Sequence, residues 1–386
     1  MKKRGQNSCP SKYKYICCFP DADGRLRRVN SEASTTKLEY IFEVLNSLGI
    51  DFEIISPSHL MDRGISKGGI RTIDGYKIRF FTAFSVHGLS RLSLALERLE
   101  FCRWFLKNVK EGDTVIVYHS LAYAELFLKL KKLRNFRLIS EVEEIYQDVK
   151  QFPANVCKTE LDYLKILDGI LTPSATLNEK INPDGKPCVI IHGLYKLQDI
   201  KYSKFSDGKI HLLYSGIIDE YKGGAAGALG MAGYLPENYV VHITGFGSDQ
   251  QINAIQQKCE TLKTKAEIIF HGFISRDELQ ELMQRCHIGL CTQDPSTQLN
   301  LTSFPSKILN YMSNGLPVFT GRSKSIEDSY VSDVVYFYDK QDYKAMAETL
   351  MDMPLSDGSR ERQRIIELDQ RFKTEVKDLL DSNTKL

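Results

Sequence analysis

The sequence predicts an α/β protein built from two doubly wound blocks. Three observations predict it. Short apolar runs alternate with amphipathic stretches through the first half of the chain. The alternation restarts near residue 210, beyond a polar, lysine-containing hinge at 193–208. The length, 386 residues, suffices for two cores of ordinary size. Strand–helix–strand repetition with apolar strands implies parallel sheets.

The elements follow in order. Residues 15–19 form an apolar run stopped by Pro20, and a polar loop occupies 21–34. A helix over 36–48 puts Leu38, Ile41, Phe42 and Leu45 on one face, and Gly49 ends it. A strand at 52–55 comes next. A long amphipathic helix covers 91–109, a strand 114–118, a helix 122–133 and a strand 137–140. In the second block a strand at 211–215 ends at Gly216, and a small-residue helix spans 224–232. A strand at 239–244 ends in Gly245-Phe246-Gly247. A helix at 250–262, a strand at 267–270, a helix at 276–285 and a strand at 288–291 complete the repeat. Residues 334–337 form a last strand, before a final helical stretch.

Composition narrows the function classes. There are 51 basic and 49 acidic side chains, and a net charge of +2 does not favour nucleic acid as a partner. The nine cysteines are scattered without a Cys-x-x-Cys pair, which reads as reduced thiols of a cytoplasmic protein and leaves no zinc site. The basic N-terminus lacks an apolar run suited to a signal peptide, and no stretch approaches the roughly 20 apolar residues of a spanning helix. Contact with a membrane is therefore expected only at its inner surface. The cluster Lys129, Lys131, Lys132, Arg134 and Arg137 is a solvated helix face or, alternatively, a contact for anionic lipid.

The stretch SFPSKILNYMSNGLPV, 303–318, reads as a loop, a short helix and a buried strand, with Asn314-Gly315 closing the helix. Thr302, Ser303 and Ser306 are candidate caps or hydroxyl donors, and Lys307 adds a full charge. Such a helix start suits a diphosphate; the alternative is a capped helix with a solvated lysine. Three successive strands ending in glycine, at Gly216, Gly245 and Gly272, favour close approach of a ligand. Lys222, opening the next helix, is within reach of phosphate oxygens in this reading. Gly223-Gly224 is not a P-loop, because the required spacing is absent.

In order, Tyr-Ser-Gly…Lys-Gly, Ile-Thr-Gly-Phe-Gly, Phe-His-Gly-Phe and Phe-Pro-Ser-Lys-Ile-Leu-x-Tyr-Met-x-x-Gly-Leu-Pro-Val resemble the family 4 glycosyltransferases. The resemblance is strong over about residues 210–320 and thinner before them. It implies the GT-B fold: two Rossmann-like domains facing a central cleft. Residues 1–195 would be the acceptor-binding domain and 196–360 the nucleotide-sugar domain. Residues 361–386 would be a C-terminal helix crossing back to the first. It also implies retaining transfer from a nucleotide-diphosphate sugar to a glycan or lipid-linked acceptor, as in cell-surface polysaccharide biosynthesis. The sugar is a substrate; no cofactor is implied.

Carried across, the family's roles make Lys222 the lysine on the donor diphosphate. Gly216, Gly245, Phe246, Gly247, Gly272 and Phe273 line the nucleotide pocket. Ser303, Phe304, Ser306 and Lys307 lie under the sugar and phosphates. Thr302 and Asn310 stand where the family has two glutamates, and Ile217 where many members have an arginine. His119, ending the strand 114–118, matches a histidine near the donor sugar; a structural strand-end histidine is the alternative. Among Glu141, Glu143 and Glu144, alternation puts the first two on one side. Glu141 and Glu144 are candidate acceptor ligands, as are Asp23 and Gly24 in the loop after the first strand. No Asp-x-Asp stands in the donor region, so metal-independent neutralisation by Lys222, Lys307 and helix N-termini is expected. Two rival readings remain: an inactive homologue serving as a binding or partner protein, and a two-domain epimerase.

Overall fold

The computed structural model describes residues 12–21, 26–30, 32–87, 90–149, 151–218, 223–296 and 303–382. The chain divides into two units. One comprises Met1–Thr172, Lys180–Val189 and Glu375–Leu386; the other, Pro173–Glu179 and Ile190–Thr374.

The first unit runs β1 (Tyr13–Ile16), α1 (Glu32–Ser47), β2 (Phe52–Ser56), β3 (Gly64–Ser66), β4 (Gly69–Ile73), β5 (Tyr76–Phe80) and β6 (Ala83–Ser85). It continues with α2 (Ser90–Asn108), β7 (Thr114–Tyr118), α3 (Leu121–Leu133), β8 (Arg137–Glu141), α4 (Tyr146–Val149), α5 (Ala154–Lys165) and β9 (Gly169–Thr172). After α6 (Ala175–Ile181), most of which belongs to the second unit, β10 (Cys188–Ile190) closes it. Its main sheet has the order β10-β9-β8-β7-β1-β2-β5-β4. β1 pairs in parallel with both β2 and β7, whereas β4 is antiparallel to β5. The strand order therefore reverses between β1 and β7, and their carboxyl ends open a crevice there.

Three parts of the chain up to residue 190 differ from expectation. Residues 146–190 carry α4, α5, β9, α6 and β10 where no element is expected. β1 lies two residues earlier than the apolar run. It includes Lys14, whose buried Nζ is 3.3 Å from Glu53 Oε1 on β2. That ion pair admits a lysine to a strand that hydropathy alone would start later. Residues 64–85 carry four strands where none is expected, because they are short and several of their residues are exposed.

The basic cluster is dispersed. Arg137 is buried and donates to the Leu380 carbonyl oxygen (3.2 Å) and to Ser382 Oγ (2.9 Å). Lys131 pairs with Asp168 (2.5 Å), and Lys129 with Glu125 one turn away (2.7 Å). The eight described cysteines are free thiols.

The second unit runs β11 (Ile210–Ile217), α7 (Gly224–Ala232), β12 (Tyr239–Phe246), α8 (Asp249–Thr261), β13 (Glu267–Gly272), α9 (Arg276–Arg285) and β14 (Ile288–Cys291). It ends with α10 (Lys307–Ser313), β15 (Val318–Gly321), α11 (Lys324–Glu327), β16 (Tyr336–Tyr338), α12 (Tyr343–Met351) and α13 (Ser359–Asp381), whose residues from Glu375 on belong to the first unit. The strands form a parallel sheet in the order β13-β12-β11-β14-β15-β16. This is the doubly wound order with its switch point between β11 and β14. Capping boxes at Ser248/Gln251 and Ser275/Glu278 fix the starts of α8 and α9.

A histidine chain crosses this sheet. His211 Nε2 faces the Asp207 carboxylate at 3.1 Å, so it carries a proton. Its Nδ1 then accepts from His242 Nε2 (2.8 Å), and His242 Nδ1 accepts from His271 Nε2 (2.9 Å). One carboxylate thus sets three tautomers and ties β11, β12 and β13 together.

Candidate active site

The end of the sheet in the second unit is shaped by side chains beneath it. Tyr311 on α10 is fully buried, and its hydroxyl oxygen accepts from the Ser215 N–H (2.9 Å) near the end of β11. A Cβ on Gly289 would lie 2.6 Å from the Tyr311 ring, so glycine there lets α10 settle onto β14. α10 ends in a Schellman motif. The Leu316 N–H reaches the Tyr311 carbonyl (3.0 Å), and the Gly315 N–H reaches that of Met312 (3.0 Å), with Gly315 at φ +70°. Asn314, also buried, donates from Nδ2 to the Asn310 carbonyl (2.9 Å). Asn314-Gly315 closes the helix as the sequence predicts.

The start of α10 departs from expectation. Ser306 holds the cap position with helical backbone angles and makes no side-chain cap bond. The chain enters through a turn in which Ile308 N–H bonds the Pro305 carbonyl (3.0 Å), and Leu309 and Asn310 N–H both bond that of Ser306. Those N–H groups are used within the turn, so the array of open donors expected for a diphosphate shrinks. What remains is a cation. Lys307 Nζ lies 4.2 Å from the centroid of the Tyr214 ring, and a Cβ on Gly216 would sit 2.7 Å from it. The lysine therefore folds back over the end of β11, at the switch point.

The glycines separate into two kinds. A Cβ on Gly245 would overlap the Gly216 carbonyl oxygen, and one on Gly247 would come within 2.6 Å of that of Ile218. Both residues are required by strand packing. Gly272 has φ +63° with open space where a Cβ would be. Phe246 and Phe273, at the ends of β12 and β13, are exposed rings. Ser306 and Asn310 are exposed, Ser303 is half-buried and Phe304 is buried. Lys222 and Thr302 lie outside the described residues, as do Asp23 and Gly24.

His192 went unremarked in the sequence. Buried, it stacks on Phe304 at 4.5 Å, donates from Nδ1 to the Pro173 carbonyl (2.6 Å) and accepts the Tyr330 N–H at Nε2 (3.2 Å). It anchors the 303–306 loop from behind. The His-Gly step at 192–193, closing an apolar run, was the available signal.

In the first unit His119, just past β7, is buried. Its ring stacks on Tyr163 at 5.8 Å, and Nε2 is 3.6 Å from Glu160 Oε1. Burial pushes its pKa down to about 4, against the pull of the Glu144 carbonyl. It is a neutral imidazole at pH 7. Glu141 is fully buried: Tyr15 donates to its Oε2 (2.5 Å), and Lys37 Nζ is 3.3 Å from its Oε1. Lys37 also bonds Glu143, so Glu141 and Glu143 do share a side. Burial pushes Glu141 up to about 7. Its contacts, Tyr15 and Lys37, are internal, and the buried carboxylate is not open to an acceptor as the sequence reading expects. Glu144 is half-buried and presents its carbonyl to His119.

Among the described residues no group of three or more His, Cys, Asp or Glu is arranged to hold a metal ion. Among them, too, no helix is long and apolar enough to cross a membrane.

Residues 196–371, just under half of the chain, match the family Glycosyl transferases group 1. The chain is a glycosyltransferase of the GT-B fold. Solved structures of similar fold agree. The lipopolysaccharide outer core galactosyltransferase WaaB superposes with a TM-score of 0.65 at 16% identity, covering 96% of this chain and 99% of that one. Anabaena HepE in complex with UDP and glucose gives 0.63 at 10%, covering 96% and 100%. An E. coli trehalose-6-phosphate structure bound with UDP-2-fluoro glucose gives 0.64 at 8%, covering 97% and 99%. No curated protein matches the sequence. At these identities the likeness speaks for the fold, and the matched segment contains β11 to α12 and most of α13, with the whole Lys307 site.

Proposed function

We propose that this glycosyltransferase is a retaining family 4 enzyme that takes a nucleotide-diphosphate sugar at the ends of β11–β14. It transfers the sugar to a glycan or lipid-linked acceptor held by residues 1–195, in cell-surface polysaccharide synthesis. The observation that carries the reading is Lys307, folded over Gly216 at the switch point of a glycosyltransferase sheet. There an ammonium meets charge that develops on a departing diphosphate. Lys222 would add a second cation. Phe246 and Phe273 offer exposed faces for a base, Ser303 and Ser306 hydroxyls, and Asn310 a ribose contact. Phe304 is held in place by His192. His119, neutral, supplies a hydrogen bond to the donor sugar. Residues 361–386 act as the helix joining the two domains, and the reaction proceeds without a metal at the inner face of the membrane.

The test is release of sugar from a panel of nucleotide sugars. Turnover of one of them that falls in Lys307→Ala supports the reading. A product of inverted anomeric configuration would overturn retention. A second reading, a binding protein derived from the enzyme, is favoured by Asn310, exposed in a carboxylate's place, together with Thr302 and Ile217 in the places of a glutamate and an arginine. It predicts ligand binding without turnover.

A further inference from the structure

α2 buries one face and presents a second, leucine-rich face to solvent. Ser93, Glu97, Phe101 and Phe105 follow at four-residue steps and are buried. Leu92, Leu96, Leu99 and Leu106 lie on the opposite side and are 36–53% exposed. At 100° per residue their mean direction is close to opposite the buried face, so the helix presents leucines to solvent. Such a patch on a protein surface calls for an occupant.

Beside this face, between α2 and the β5–β6 segment, is a cavity of about 740 Å³. Arg79, Arg103, Lys107 and Trp104 line it, with Leu96 and Leu99 from the exposed face. Arg79 lies over the Trp104 ring at 5.8 Å, and its Nε is buried with no hydrogen-bond partner. A buried guanidinium N–H without an acceptor is costly unless a ligand supplies one. Glu100 is the cavity's acid, but its Oε2 already accepts the Thr82 N–H (2.9 Å). Three cations against one engaged carboxylate make the cavity an anion site. Leucines on the adjoining helix face make it a site for an anion carried on an aliphatic body.

We propose that this face docks on an anionic phospholipid bilayer, with a lipid phosphate at Arg79 and Arg103 and the α2 leucines in the acyl boundary. The inference deepens the functional reading, which places the enzyme at a membrane, and rests on it for the acceptor. It moves the contact from the Lys129–Arg137 cluster, whose Arg137 is buried, to α2. Basic side chains add attraction to anionic lipid, and apolar burial adds depth.

The experiment is co-sedimentation of the full chain with vesicles, alongside its oligomeric state in solution. Vesicles containing phosphatidylglycerol should bind it, and pure phosphatidylcholine should not. Arg79→Gln with Arg103→Gln should weaken binding about tenfold or more. Leu96→Ser with Leu99→Ser should also weaken it, and Lys129→Gln with Lys132→Gln should leave it unchanged. Excess inorganic phosphate should not release the protein; release would mark the cavity as a free-phosphate site and overturn the lipid assignment. Failure to bind either vesicle, equal binding by the α2 variants, or a dimer dissolved by the leucine variants would each overturn it. Sugar release without vesicles is measured separately, so loss of docking with retained turnover leaves the functional reading intact.

Discussion

Lys307 Nζ stands 4.2 Å from the centre of the Tyr214 ring and directly over Gly216. The aromatic face holds a cation at the end of β11 before a ligand arrives. Lys307→Ala should therefore lower donor affinity about 10- to 100-fold, the loss expected for a hydrogen bond to a charged group. Titration calorimetry with the preferred nucleotide sugar measures it, and unchanged affinity would remove Lys307 from the site.

The two kinds of glycine predict different outcomes. Gly245→Ala forces a methyl into the Gly216 carbonyl and should abolish folding or cost several kcal/mol. Gly272→Ala meets open space and only a strained φ, at about 1 kcal/mol. Urea unfolding of both variants checks the order; equal losses would contradict it.

Asn310→Glu places a charge on an exposed position of α10. Charge-assisted bonds are about twice as strong as neutral ones, so donor binding should tighten several-fold if Asn310 meets the ribose. No change in the calorimetric titration would count against that contact.

The histidine chain makes stability depend on pH. Burial lowers His242 to about 3 and also depresses His271 and His287. From about 6.5 down to those values the unfolded chain binds more protons than the folded one. Stability is therefore full above about pH 6.5 and is lost as pH falls, by up to about 1.4 kcal/mol per group per pH unit. Glu141, raised to about 7, works in the opposite direction between its ordinary range and neutrality. Urea midpoints should fall from about pH 7 to about pH 5, and more steeply in Glu141→Gln. A flat profile in that variant would contradict the chain.

His119 should titrate near 4, as its burial implies. Imidazole NMR shifts followed with pH read this directly. A value above 6 would mean the ring is hydrated and cationic near neutrality, contrary to its packing against Tyr163.

Much of the second unit was legible. Its central strands, β12, β14 and β15, are buried, and α7, α9 and β14 have the bounds their sequence suggests. Gly315 was legible as a helix stop because only a left-handed residue completes that motif. The short strands at 64–85 were not, since exposed residues interrupt any alternation there. The buried polar contacts were invisible for a different reason. Lys14, Glu141, His192 and His242 look like surface residues until the partners that satisfy them, distant in sequence, are placed beside them.

The central claim is that the second unit holds a nucleotide-sugar diphosphate under Lys307. A structure with the bound nucleotide tests it most directly. The account predicts a phosphate oxygen within hydrogen-bonding distance of Lys307 Nζ, beside Gly216 and Ser303–Ser306. A nucleotide bound elsewhere, with Lys307 still resting on the Tyr214 ring, would contradict it.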